Sequence, residues 1–181
     1  MIQSRIAGLV AALTLVTMLG APALVVADGG TFKARLQGFQ EVPAISTEAS
    51  GEFSAKLSED ETSFDYELSY ENLEGTVSQG HIHLAQRSVN GAIIVWLCQT
   101  TTNVDPTGLA PTCPQSGMVT GTITAANVIA PMTSQGIAAG ELAELVEAMR
   151  AGVTYANVHS LPQFPGGEIR GQIRKGKGDK D

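Results

Sequence analysis

Alternation of apolar and polar residues is the strongest structural signal in the chain, and it predicts β-strands. The clearest run covers residues 64–70, where Phe64, Tyr66, Leu68 and Tyr70 alternate with polar positions. Successive side chains of a strand point to opposite faces of a sheet, so this period of two indicates strands with one buried face. Runs of the same kind occupy residues 32–36, 51–57, 77–84, 118–124, 153–159 and 168–174. A wholly apolar run at 92–97 predicts a central strand.

One segment has helical periodicity instead. Leu142, Leu145, Val146 and Met149 recur at a spacing of three and four, and Gly152 is placed to end the helix. This pattern predicts one amphipathic helix whose apolar stripe packs on the sheet. About eight strands with one helix predict an all-β fold, an antiparallel Greek-key-like β-sandwich. Residues 160–167, rich in proline and glycine, are predicted to form a loop before the last strand.

The beginning of the chain has the composition of a secretory signal peptide. Arg5 is followed by an apolar stretch at 6–19, and small residues precede Asp28. We expect cleavage after Ala27, which makes residues 1–27 the signal peptide, 28–174 one domain and 175–181 a flexible polar tail. The protein is therefore expected to be secreted or periplasmic, without a membrane span after cleavage.

Charge and cysteine content narrow the function classes further. The chain has 18 acidic and 11 basic residues and a net charge of −7, which argues against a nucleic-acid partner. Its two cysteines, Cys98 and Cys113, would meet an oxidising compartment after export, so they are predicted to form a disulfide. Closing a loop of about 15 residues stabilises a fold by roughly 3 kcal/mol.

All three histidines of the chain fall in predicted strands. His81 and His83 are two residues apart, so they project from one face, and His159 ends a later strand. If these strands are neighbours, three imidazoles converge on a site for copper or zinc. Glu41 and Glu168 are candidates for carboxylates that orient a histidine ring.

The alternative interpretation assigns these residues ordinary structural roles. His81 and His83 would lie on a solvated face, and His159 would bond to the backbone of the loop near residues 165–167. Glu168 would pair with Arg170 or Arg174 in surface salt bridges. No serine has the context of a hydrolase nucleophile, and no glycine-rich phosphate loop is present.

Several motifs resemble the CHRD domain, which was first recognised in the animal developmental antagonist chordin and is widespread in microbial secreted proteins. They are QEVP at 40–43, GHIH at 80–83, VNG at 89–91, GTITAA at 121–126, YANVHS at 155–160 and PGGEIRGQI at 165–173. The resemblance spans about residues 31–174 and implies a secreted domain. Leu84-Ala85-Gln86 stands where many relatives have Gly-Pro, and the Cys98–Cys113 loop is typical of a subgroup.

A second likeness is to copper/zinc superoxide dismutases, which are β-sandwiches with a His-x-His pair and a late copper ligand. His81, His83 and His159 match those three positions, but the chain has no histidine for the ligand that bridges copper and zinc. The resemblance thus implies at most a copper-only site.

We therefore expect a secreted, non-enzymatic CHRD-type binding module with a three-histidine copper or zinc site, whose partner is the metal ion or an extracytoplasmic protein. One alternative is a copper-only oxidoreductase of the superoxide-dismutase type. The other is a metal-free structural or protein-interaction domain.

Overall fold

The computed structural model describes residues 30–130 and 135–176, which form nine strands and one α-helix. The predicted signal peptide and residues 177–181 of the predicted tail lie outside the described residues. The strands are β1 (Thr31–Gln37), β2 (Ser50–Leu57), β3 (Ser63–Glu71), β4 (Thr76–Leu84), β5 (Ala92–Cys98), β6 (Gly117–Thr124), β7 (Thr154–Leu161), β8 (Phe164–Gln172) and β9 (Arg174–Lys175). The helix, α1, is Leu142–Arg150.

The strands are joined in one hydrogen-bonded sheet with the order β5-β4-β7-β8-β1-β2-β3-β6, and β9 pairs with β1. All pairings between these strands are antiparallel, as the sequence pattern predicts for strands that alternate in polarity. The all-β prediction with a single helix is therefore confirmed. The fold is built from this single sheet, which curls because its twist accumulates from strand to strand.

The two ends of this sheet, β5 and β6, approach each other. The Tyr66 hydroxyl donates to the Leu97 carbonyl at 2.5 Å, which ties β3 to β5 across the interior. Beyond β5, the Gln99 N–H donates to Pro111 O at 2.9 Å. The predicted disulfide between Cys98 and Cys113 is present at the same place, so it holds the segment after β5 against the chain entering β6.

The hydrophobic core follows the predicted alternation. On β1, Phe32 and Leu36 are fully buried, whereas Lys33 and Arg35 between them are exposed. The helix adds its apolar stripe to the same core, with Leu142, Leu145, Val146 and Met149 all buried. Burial of each such side chain contributes roughly 1.5–3 kcal/mol to folding. Gly152 has φ +69° and follows the helix, as its sequence position predicts.

The end of the chain differs from the sequence prediction. The predicted loop at 160–167 is largely absent, because β7 and β8 form a hairpin with only Pro162 and Gln163 between them. Lys175, assigned to the tail, pairs with Phe32 of β1. Across the described part of the chain, α1 falls far short of the length and apolar character needed to cross a bilayer.

Candidate metal centre

The register of β4 against β7 and of β7 against β8 assembles one polar face. His81 lies opposite Asn157 and His83 opposite Tyr155, while His159 lies opposite Gln79. Directly opposed residues in an antiparallel pair share a face, so the three histidines point to the same side of the sheet. The other side, which includes Ile82, belongs to the hydrophobic core. In β8, Arg170 lies opposite Asn157 and joins the polar face.

The three imidazoles lie close together and are buried. His81, His83 and His159 each offer a nitrogen within 4.8 Å of the other two, and their exposed fractions are 0%, 7% and 6%. His81 Nδ1 and His159 Nε2 lie 3.3 Å apart. Three nitrogens bound to one ion at about 2.1 Å stand roughly 3.4–3.6 Å apart. The rings must therefore close by at most ~1.4 Å to share an ion.

Hydrogen bonds to backbone carbonyls define the tautomers. His83 Nδ1 donates to Gly91 O and His159 Nδ1 donates to Pro165 O, each at 2.9 Å. A carbonyl only accepts, so both Nδ1 atoms carry the hydrogen and both Nε2 atoms present a lone pair. His159 Nε2 then accepts from the N–H of His81 Nδ1. An imidazole that donates one N–H to a carbonyl and offers its other nitrogen is typical of a metal ligand.

Burial also keeps the rings in the form that binds metals. Desolvation lowers the pKa of His83 to about 4, with the hydrogen bond to Gly91 opposing this effect. Burial likewise lowers the pKa of His159, and that of His81 well below its ordinary value. All three imidazoles are therefore neutral at pH 7, with lone pairs available for coordination.

Buried polar atoms without a hydrogen-bond partner concentrate on this face. Among the described residues they include His81 Nε2, His83 Nε2, Glu41 Oε1, Asn157 Oδ1 and Trp96 Nε1. Such atoms are rare in folded proteins because each one forfeits its hydration on burial. Their concentration around the histidines is what a site adapted to a ligand, rather than to packing alone, would show.

Aromatic rings and one arginine enclose the histidines. Trp96 contacts His81 edge-on, with ring centroids 4.3 Å apart, and Tyr155 stacks on His83 at 4.6 Å with an interplanar angle of 5°. The Arg170 guanidinium carbon lies 3.3 Å from the centroid of the Tyr155 ring. The expectation of a surface salt bridge for Arg170 is wrong: the residue is 1% exposed and donates to Val89 O, Gln86 O and Asn90 Oδ1.

Glu41 lies beside Asn157 of the polar face, and within the described part of the chain no hydrogen bond joins it to a histidine ring. It is 6% exposed, and burial raises its pKa to about 7, while the Val42 N–H, Arg170 and Asn157 favour its ionised form. Gly167, with φ +122°, lies beside it, and a Cβ there would come within 2.2 Å of Glu41 Oε1. The carboxylate thus reaches its place beside Asn157 only because residue 167 is glycine.

Glu168, predicted to orient a histidine ring or to pair with an arginine, has a different set of partners. Its carboxylate accepts hydrogen bonds from the Thr47 hydroxyl at 2.8 Å, from the Glu74 N–H at 2.9 Å and from the Ser160 hydroxyl. The residue is fully buried. Glu168 therefore ties the segment after β1 and the β3–β4 turn to the β7–β8 hairpin, and leaves the orientation of His159 to Pro165.

Two features of the site had no clear sequence signal. Trp96 is one residue of an apolar run, and its position beside His81 follows only from the register of β4 and β5, which contains a bulge there. Gly91 stands in a turn motif, but glycine is needed there because its backbone packs closely against Leu84. A Cβ at this position would lie 1.8 Å from Leu84 O. That approach places Gly91 O where His83 can donate to it.

Comparison with protein families identifies the domain. The model of the CHRD domain matches residues 32–173, which is most of the chain. The protein belongs to the CHRD family. The match confirms the resemblance seen in the sequence motifs, and it spans the described part of the polar face from Glu41 to Gln172. No match was found among curated proteins or among solved structures.

Proposed function

We propose that this CHRD protein is an exported, non-enzymatic binding module that holds one copper or zinc ion through His81, His83 and His159. The observation that carries the proposal is the convergence of three buried, neutral imidazoles whose candidate ligand atoms lie within 4.8 Å of one another. Imidazole nitrogen is a preferred ligand of both metals.

The ligand atoms follow from the tautomers. His83 and His159 offer Nε2, since their Nδ1 atoms are held by Gly91 O and Pro165 O. His81 offers Nδ1, which points at His159, once its proton has moved to Nε2 or left the ring. Metal binding therefore replaces the hydrogen bond between His81 and His159 with two bonds to the ion.

Export is supported by three features. The Cys98–Cys113 disulfide is a bond that persists in oxidising compartments, and CHRD domains are of the extracellular type. The composition of residues 1–27 is that of a signal peptide. We accordingly place the functional protein outside the cytoplasm, in the periplasm or beyond the cell.

Metal analysis of protein purified from the exported fraction tests the proposal. We expect close to one copper or zinc ion per chain, and loss of the ion in His81→Ala and in His83→Ala. Glu67→Gln, on an exposed face of β3, is the matched control and should bind as the wild type does. If the wild type binds no ion at near-equal stoichiometry, the metal-free structural or protein-interaction domain replaces this proposal.

A copper-only oxidoreductase of the superoxide-dismutase type is the second candidate. Three protein ligands leave an open coordination position, as in catalytic metal sites. The exposed fractions of the rings, 0–7%, favour retention of an ion over exchange with substrate. Superoxide turnover by the copper-loaded protein that disappears in His83→Ala would establish the enzymatic alternative, and its absence leaves the binding module.

A further inference from the structure

The ligand set brings no negative charge to a bound ion. Among the described residues, the group able to hold a metal consists of His81, His83 and His159 alone. Imidazoles are neutral donors, whereas carboxylates and thiolates neutralise part of the charge of the ion that they bind. Both cysteines are in the disulfide and offer no thiolate. An ion in this site therefore keeps its whole charge.

Burial makes the charge of the ion the main determinant of the cost of binding it. The ligand rings are nearly inaccessible to solvent, so an ion among them loses most of its hydration. The cost of removing an ion from water rises with the square of its charge, which makes it about fourfold larger for a divalent ion than for a monovalent ion of equal size. A buried site of neutral ligands thus disfavours divalent ions unless nearby charges compensate.

The nearest buried cation works against such compensation. The Arg170 guanidinium packs on Tyr155, which in turn stacks on His83. The guanidinium carbon lies 3.3 Å from the centroid of the Tyr155 ring, which is 4.6 Å from that of His83, so its positive charge lies close to a ligand ring. Glu41 acts in the opposite sense, but its carboxylate is not a ligand and is coupled to Arg170. Repulsion by Arg170 is about twice as strong for a divalent ion as for a monovalent one.

We propose, building on the metal-binding function above, that the site selects monovalent copper, Cu⁺, over Cu²⁺ and Zn²⁺. Cu⁺ is a monovalent ion of a metal that imidazole nitrogen binds, whereas structural zinc is almost always four-coordinate. The preference for Cu⁺ is favoured by the three neutral rings, by their burial and by the position of Arg170.

Competition titrations of the full-length exported protein test the proposal. Cu⁺ is measured under anaerobic conditions with ascorbate against a cuprous chelator, and Cu²⁺ and Zn²⁺ are measured against divalent chelators, all at pH 8. We expect the Kd for Cu⁺ to be at least a hundredfold lower than that for either divalent ion. The reduction potential of the copper-loaded protein gives an independent readout, since each tenfold preference for Cu⁺ raises it by about 59 mV.

Two charge variants should shift this preference in opposite directions. Arg170→Gln removes the buried cation and is expected to narrow the preference for Cu⁺ at least tenfold. Glu41→Gln removes the opposing carboxylate and is expected to widen it. Arg150→Gln is the matched control, because Arg150 pairs with Glu61 and Glu147 at a distance from the site and should leave the preference unchanged.

The outcomes separate this inference from the function on which it rests. Divalent ions that bind as tightly as Cu⁺ would overturn the selectivity but leave the metal site intact. Absence of binding by all three ions would overturn both. If Arg170→Gln does not fold, Glu41→Gln decides the matter: a wider preference supports the inference, and an unchanged or narrower one contradicts it.

Discussion

On β1, β2 and β3, the side chains that point away from the core are exposed, as at Lys33, Glu52 and Glu67. On β4, β7 and β8, the side chains on the face opposite the core are buried, as at His81, Asn157 and Arg170. Both halves of the sheet show polar residues on this face. The two halves differ in what covers this face. The segments at 38–49 and 85–91 lie over the second half, where the Asn90 amide donates to Val42 O and Arg170 donates to Val89 O.

This contrast teaches that burial, and not polarity, separates the candidate site from the ordinary outer surface of the sheet. Polar groups on the exposed half remain hydrated and contribute little to stability. The same groups on the covered half must find partners or remain unsatisfied at a free-energy cost. The covered half, which retains such groups despite this cost, is therefore a better candidate for a binding site than the exposed half.

The largest expected difference between the halves is in the free energy of unfolding lost when an arginine is replaced, at Arg170 on the covered half or at Arg35 on the exposed half. We expect Arg170→Met to lower the free energy of unfolding by about 3–5 kcal/mol, because it leaves carbonyl groups and Glu41 without their buried cation. Arg35→Met, on the exposed face of β1, should change it by less than about 0.5 kcal/mol. Denaturant unfolding of both variants measures the two values. Equal losses would remove the distinction between the halves.

Acid should destabilise the metal-free protein through the covered half. The folded state holds its histidines neutral, while the unfolded chain binds protons below its pKa of about 6.5. This contribution is present above about pH 6.5 and is lost as the pH falls toward the folded pKa of His83, about 4. For His83 alone the loss reaches about 2 kcal/mol by pH 5. Denaturation at pH 7 and pH 5 measures it as the difference between wild type and His83→Gln, because Glu41 changes the stability of both proteins in the same way. A difference between the two proteins that does not depend on pH would contradict it.

Glu41 should change the stability in the opposite direction as the pH falls. Its folded pKa is raised to about 7 from 4.5, so the ionised carboxylate destabilises the fold above that pH, and the penalty disappears as the pH falls to about 4.5. We expect Glu41→Gln to raise the free energy of unfolding by about 2–3 kcal/mol at pH 8 and by little at pH 5. Glu67→Gln serves as the exposed control. A gain that does not depend on pH would indicate a packing effect instead.

The smallest effect is expected on the exposed half. The Thr122 hydroxyl donates to Asp65 at 2.6 Å, but both residues are exposed. Asp65→Asn should therefore change the free energy of unfolding by less than about 0.5 kcal/mol, because water replaces the lost interaction. A loss above 1 kcal/mol in the same unfolding assay would show that this half also carries energetically important polar contacts.

Much of the fold could be predicted from the sequence, because alternation of apolar and polar residues reports directly on one buried face. The strands with the clearest alternation, such as β3, and the stripe of α1 are where the pattern places them. The hairpin of β7 and β8 was missed since proline and glycine at 162–167 are typical of loops. Pro162 is accommodated in the turn, and Pro165, Gly166 and Gly167 lie at the start of β8, close to an irregularity in its register with β7.

The candidate site was predictable in part. The period of two placed His81 and His83 on one face, but only the pairing of β4 with β7 brings His159 to them. Arg170 was misplaced because alternation cannot distinguish a solvated face from one that a loop covers. Glu168 was misjudged for the same reason, since its partners Thr47 and Ser160 come together only through tertiary packing.

The most direct test of the covered face as a metal centre is X-ray absorption spectroscopy of the copper-loaded protein. We predict three nitrogen scatterers at about 2 Å with the outer-shell pattern of imidazole, and loss of that pattern in His83→Ala. A spectrum dominated by oxygen ligands, and identical in the variant, would show that copper binds elsewhere and would contradict the account.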